Sequence, residues 1–245
     1  MENFGNNTDL GGPAGHRLEQ AVIRCQDLEF SYEPGGFSLS VPQLEISRGK
    51  KVALTGPSGC GKTTLIHLFA GILKSGSGIL EVDGLELANY SDRDLKDFRI
   101  LRLGLIFQQF ELLQYLNCFQ NILLPFRLNP VLELEESHRN SALELLEKVG
   151  LKDKVKRYPK ALSQGERQRV AVCRALITKP SLLLCDEPTA NLDPDNRDRI
   201  LKILFDYCDK EKSSMIVVTH DHEILDRFDQ ILDIREILPK TTPVP

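Results

Sequence analysis

Gly56-Pro57-Ser58-Gly59-Cys60-Gly61-Lys62-Thr63 lies between an apolar run, Val52-Ala53-Leu54-Thr55, and a segment in which Leu65, Ile66, Phe69, Ile72 and Leu73 recur at helical spacing. A strand, a glycine-rich turn and a helix in that order predict a phosphate-binding loop. Glycines carry no Cβ, so the loop backbone can turn several N–H groups toward one anion at close range. Lys62 adds a positive charge on a flexible stem, and Thr63 offers a hydroxyl to Mg²⁺. The N-terminus of the helix that follows favours negative charge. The fold class this order dictates is α/β.

The chain has 245 residues, 41% hydrophobic and 27% charged, enough for one globular domain with a full core and an inserted subdomain. A net charge of −4 gives no overall basic field, so nucleic acid is not expected as a partner. Six cysteines, at 25, 60, 118, 173, 185 and 208, fall singly with no C-x-x-C pair, the usage of a reducing compartment. No apolar run reaches the roughly 18 to 20 residues that a membrane helix needs. Met1 to Gly15 lacks the basic and apolar regions of a signal peptide. The expectation is a soluble chain whose membrane role, if any, runs through a partner.

Residues 1–18 are rich in Gly and Asn and read as a loose tail, and 239–245 as a second tail, leaving 19–238 for the domain. From Ala21 the chain alternates through Leu28, Phe30 and Tyr32, turns at Pro34-Gly35-Gly36 and resumes with Phe37, Leu39 and Val41, an antiparallel strand pair. Tyr32 at the strand end either stacks on a base or is an ordinary sheet aromatic. Asp83-Gly84, between Ile79–Val82 and Leu85–Leu87, is a hairpin turn. Gly104-Leu105-Ile106-Phe107 is a short strand ending at Gln108-Gln109, where an amide can reach a metal or a water. Residues from about 110 to 165 turn mostly helical, with Ala142, Leu143, Leu145, Leu146 and Val149 on an apolar face and Gly150 as its C-cap. Leu112 to Leu128 is more apolar than a small helical insert needs; it is either simple core or in part a docking surface.

The second half carries the rest of the chemistry. Leu162-Ser163-Gln164-Gly165-Glu166 opens a helix with Ser163 as its N-cap and offers another anion seat. Leu182-Leu183-Leu184-Cys185 followed by Asp186-Glu187 reads as a buried parallel strand ending in two carboxylates, at the sheet edge where α/β folds bind ligands. Asp186 there suits Mg²⁺, and Glu187 suits polarising an attacking water. Pro194 with Asp193 or Asp195 starts a helix, and Met215–Thr219 forms another buried strand ending at His220-Asp221. Phe228 to Ile234 reads as one more short strand. His16, His67, His138 and His222 have no comparable placement.

Taken together these motifs resemble the nucleotide-binding domain of ATP-binding cassette (ABC) transporters over about residues 20 to 238. Tyr32 matches the aromatic loop, Gly56–Thr63 Walker A, Gln108 the Q-loop and Leu162–Glu166 the signature. Leu182–Glu187 matches Walker B, Asn191–Asp193 the D-loop and His220 the switch histidine. The signature departs from Leu-Ser-Gly-Gly-Gln at Gln164 and Glu166 but keeps Ser163 and Gly165. Phe107 to Leu113 and Asn121 to Pro125 are similar to the class of lipoprotein-release, macrolide-export and cell-division ATPases, from which Gln114 and Gln120 depart.

The resemblance implies a P-loop NTPase (RecA-like) core with an antiparallel β subdomain and an inserted helical subdomain. It also implies an ATPase with Mg²⁺, resting peripherally on the cytoplasmic face of a membrane beside an integral permease subunit and a second ATP-binding copy. ATP binding falls to Tyr32, Gly56, Pro57, Ser58, Gly59, Cys60, Gly61, Lys62, Thr63 and Thr64, with Ser163 and Gly165 serving the copy opposite. Thr63, Gln108 and Asp186 are the implied Mg²⁺ ligands, and Glu187, His220 and Gln108 the catalytic set. A signalling ATPase that binds a membrane partner without moving substrate is the alternative. A DNA- or ribosome-acting cassette is disfavoured by the lack of sustained heptads, and a non-hydrolysing one by Glu187 and His220.

Overall fold

The computed structural model describes residues 21–32, 36–190 and 192–238. Both tails, the Pro34-Gly35 turn and Asn191 lie outside the described residues. β1 (Ala21–Ser31) and β2 (Ser38–Ser47) pair antiparallel, with Cys25 opposite Leu44 and Phe30 opposite Leu39. β3 (Lys51–Thr55) leads through the glycine-rich loop into α1 (Lys62–Phe69). The hairpin β4 (Ser77–Val82) and β5 (Leu85–Glu86) turns at Asp83 and Gly84, both at positive φ (50° and 83°) as a tight two-residue turn requires. α2 (Asp92–Arg102) starts at a Ser91/Asp94 capping box and runs into β6 (Leu103–Ile106).

Three helices follow, α3 (Cys118–Ile122), α4 (Pro125–Leu128) and α5 (Glu136–Lys148), and Gly150 leaves the last at φ 73°. α6 (Gln164–Leu176), β7 (Leu182–Asp186), α7 (Pro194–Glu211), β8 (Ser214–Val218), β9 (Gln230–Asp233) and the short α8 (Ile234–Ile237) complete the chain. β2-β1-β4-β5 is an antiparallel sheet; β6-β7-β8-β3-β9 is a parallel one.

β7 and β8 are buried along their whole length, which is why their apolar runs are continuous rather than alternating. Leu182 and Leu184 face the core shared with the antiparallel sheet, while Leu183 and Cys185 face the core under α7. A third core joins Leu112, Ile122, Phe126, Ala142 and Leu146 to Val170, Ala171 and Cys173 of α6. Each buried Leu or Val contributes roughly 1.5–3 kcal/mol, enough for β7 to tolerate the buried carboxylate that ends it.

Three expected elements differ. α1 stops at Phe69, so Ile72 falls past the helix and is 44% exposed rather than on its buried face. Leu143 on α5 is also 44% exposed; Ala142 and Leu146, one turn apart, carry that face. The strand expected through Ile234 ends at Asp233, whose side chain caps α8. Among the described residues no helix is long and apolar enough to cross a membrane.

Candidate active site

Four neighbouring parallel strands deliver the site. The glycine-rich loop leaves β3, Gln108 follows β6 by two residues, Asp186-Glu187 ends β7 and His220 follows β8. The exits are laced together: Glu187 N–H donates to the Val218 carbonyl (3.0 Å) and Thr219 N–H to the Leu54 carbonyl (3.2 Å). This is the carboxyl edge of an open parallel sheet, where such folds place ligands.

In the loop, Gly56 and Gly61 take φ of 142° and 101°. A Cβ at Gly56 would sit 2.5 Å from Ile234 Cγ2, and one at Gly61 2.7 Å from Phe37 Cζ, so both conformation and space demand glycine. The buried Lys62 donates through Nζ to the carbonyls of Gly56 (2.9 Å) and Pro57 (2.7 Å), with Cys60 Sγ at 3.8 Å. The cation therefore lies folded over the loop it serves. Asp186 is buried at the end of β7, and burial pushes its carboxyl above the usual range, as does the neighbouring Glu187. A hydrogen bond from Thr63 and the charges of His67 and Lys62 oppose that rise.

A cavity of about 610 Å³ opens above the loop, with Ser58, Gly59, Gly61, Lys62, Thr63 and Thr64 as its floor and Gln108, Glu187 and His220 at one end. Tyr32 walls the other end, half exposed, its hydroxyl 3.3 Å from Thr64 Oγ1 and its ring edge-on to Phe30 at 4.8 Å. Phe37 completes this wall. Glu187 holds a left-handed backbone, φ 48°, which costs a non-glycine residue about 1–2 kcal/mol. Its two oxygens are taken separately: Gln108 Nε2 donates to Oε2 (3.1 Å), and His220 Nδ1 lies 3.3 Å from Oε1. The arrangement can hold a phosphate chain on the loop and present a fixed carboxylate to a water at its far end.

Ser163 and Gly165 are not brought to this cavity. Ser163 caps α6, its Oγ accepting from Glu166 N–H (3.3 Å) while Glu166 Oε2 accepts from Ser163 N–H (2.9 Å). Lys154 pairs with the same carboxylate and holds it below its usual range. The charge at Glu166 thus serves the helix start on which the sequence places it.

Sequence reasoning missed Phe37, whose only signal is the strand that follows it. It also missed Arg174 on α6, which donates to the carbonyls of Phe110 and Glu111, two consecutive left-handed residues (φ 60° and 48°) just beyond Gln108. Neither contact has a local sequence signal, because 63 or 64 residues separate the partners.

The sequence pattern of the family described as ABC transporter matches residues 39–190. The chain belongs to the ABC transporter family. The cassette is an ATP-binding ATPase, the energising component of such a transporter. Curated relatives include the "Lipoprotein-releasing system ATP-binding protein LolD" of Pseudomonas fluorescens, 36% identical over 223 residues that cover 89% of this chain and 96% of the relative. The protein of the same name from Buchnera aphidicola is 34% identical over 220 residues, 89% of this chain and 96% of that one. Among solved structures, a dimeric ATP-binding cassette in a post-hydrolysis state with ADP and Pi superposes with a TM-score of 0.77 at 27% identity, covering 86% of the cassette and 93% of that chain.

Proposed function

We propose that this cassette is the ATPase of a lipoprotein-releasing exporter, working as a pair of copies on the cytoplasmic face of a membrane. The observation that carries the catalytic half is Glu187, locked between Gln108 and His220 at the end of the cavity built on Gly56–Thr64. The shared name of the curated relatives supports the substrate class.

Lys62 and the loop amides bind and orient the β- and γ-phosphates, and Tyr32 faces the adenine. Glu187 holds and polarises the attacking water, and His220 orients the carboxylate and meets the γ-phosphate. Ser163 and Gly165 serve the ATP of the opposite copy, in keeping with their absence from the cavity of their own chain. The residues present fit Mg²⁺: a threonine hydroxyl and a buried carboxylate side by side are hard oxygen donors. Among the described residues no three His, Cys, Asp or Glu gather as a borderline-soft metal needs. Thr63, Asp186 and a reoriented Gln108 would hold the ion, which when bound neutralises phosphate charge.

The domain division is part of this reading: a helical subdomain of about residues 110 to 165, hinged at Gln108, is supported by the core around Ile122, Phe126 and Leu146, which also takes in Val170, Ala171 and Cys173 of α6. A cavity of about 420 Å³ beside it, whose lining joins Leu105, Phe107, Leu124 and Leu128 to the charged Arg99 and Arg174, suits an amphipathic helix of the membrane subunit. Leu112, Ile122 and Phe126 are core, whereas Tyr115 and Leu128 (74% and 68% exposed) are left for a partner.

Glu187→Gln is the test. The variant should bind ATP with parental affinity and lose hydrolysis by about a hundredfold or more, measured as phosphate release. With ATP and Mg²⁺ it should carry down a membrane protein with few spanning helices and a large external domain. Rapid turnover would remove Glu187 from catalysis, and recovery of soluble partners alone would sink the exporter reading.

A further inference from the structure

Asn196, in the first turn of α7, sits where the Ser163–Glu166 turn and the Asp193 loop meet. Its amide oxygen accepts from Arg169 Nη1 at 2.7 Å, and its amide nitrogen donates to Asp193 Oδ2 at 2.6 Å. The orientation is forced by chemistry, since guanidinium only donates and carboxylate only accepts. Flipping the amide would create two mismatches. Its backbone N–H donates to Asp193 Oδ1 at 3.0 Å, which alone suffices for the helix cap. The side chain therefore does something the cap does not need. Gly165 lies directly on it: a Cβ there would be 3.1 Å from both Cγ and Oδ1 of Asn196. One residue before Arg169, Gln168 Nε2 donates to the carbonyl of Pro188, the residue after Glu187, at 2.6 Å.

We infer that Asn196 is a positioning residue that locks the Ser163–Gly165 turn to Asp193, so that the two ATP sites of a pair report to each other. The inference rests on the two-copy reading above. In that arrangement the turn serves the partner's ATP, and Glu187 serves the chain's own. Among the described residues α6 is tied to Pro188 through Gln168 and to Asp193 through Asn196, and the second tie passes through a side chain that touches the turn itself. Closure of one site then moves the part that completes the other.

Asn196→Asp separates the two arms. The isosteric carboxylate still accepts from Arg169 but sets an acceptor against Asp193 where a donor stood. In full-length chains carrying Glu187→Gln, a fluorescent ATP analogue should bind the monomer within about twofold of the parent, while ATP-driven dimerisation by sedimentation weakens about tenfold. With Glu187 intact, the Hill coefficient of hydrolysis should fall toward about 1. Exchanging the pair, Asp193→Asn with Asn196→Asp, restores donor against acceptor at unchanged charge and should return dimerisation to within about threefold of the parent. Unchanged dimerisation and Hill coefficient in Asn196→Asp, or failure of the exchange to restore a lost dimer, would overturn the inference with the two-copy reading intact. If the Glu187→Gln chain itself does not dimerise with ATP, the two-copy reading fails and this inference falls with it.

Discussion

The sheet-edge site and the start of α6 both present groups suited to phosphate, and they differ in how far their own chain satisfies them. At the sheet edge a buried carboxylate, Asp186, sits above its usual protonation range, and Glu187 stands on a left-handed backbone. At the first turn of α6 the chain supplies its own partners: Ser163 and Glu166 close a capping box, and Lys154 neutralises the acid. Perturbed groups and a left-handed backbone at one sheet edge are the features that mark it as the candidate site. On the two-copy reading proposed above, the turn that meets its own needs is the one presented to the partner's ATP.

Ser163→Ala breaks the comparison most sharply. It should lower turnover of the paired cassettes about tenfold while leaving ATP affinity of the isolated chain unchanged in a binding titration; the lost cap adds a stability cost of about 1 kcal/mol. A matching loss of monomer affinity would place Ser163 in its own chain's site. Asp186→Asn should do the reverse. The folded carboxyl is raised, so its ionised form is disfavoured by folding, and stability is lost as pH rises through the folded value. At neutral pH the amide removes that cost. In chelator, a melting curve should shift up by roughly a few degrees, while the Mg²⁺-dependent part of ATP binding disappears. Smallest is Glu166→Gln, which brings the family's residue to this position. The amide oxygen keeps the cap but not the pair with Lys154, for a loss of no more than about 1 kcal/mol. Because the carboxyl is depressed in the fold, this difference is present above its unfolded value and vanishes as pH falls through the folded one, which melts across acid pH would show.

The sheet-edge half of the candidate site was legible because its residues are neighbours in sequence. Gly56 to Thr63, Asp186-Glu187 and the residues after β6 and β8 are all short runs set by strand ends. The parallel sheet was legible for the same reason, in the unbroken apolar runs of β7 and β8. What was not legible depends on approach between distant segments. Ile72 looked like a helix face until the left-handed Gly71 (φ 60°) ended the turn. Phe37 becomes a wall of the cavity only because β2 runs beside β1. Asn196 is an ordinary first-turn residue until α6 lies across it, 27 residues from Arg169 in sequence.

Asp83 links the two sheets in a way that bears on how long the fold lasts. At the β4–β5 turn its almost wholly buried carboxylate takes Arg48 at 2.6 Å and the Ser181 hydroxyl at 2.7 Å, with Arg102 at 3.8 Å. Ser181, just before β7, lies 98 residues away in sequence. Closing so long a loop costs chain entropy that a local contact does not. We expect Asp83→Asn to speed unfolding more than it slows folding in a denaturant chevron, the outcome that a contact made after the folding transition state gives. The junction would then act on the lifetime of the cassette, as a brake on its opening.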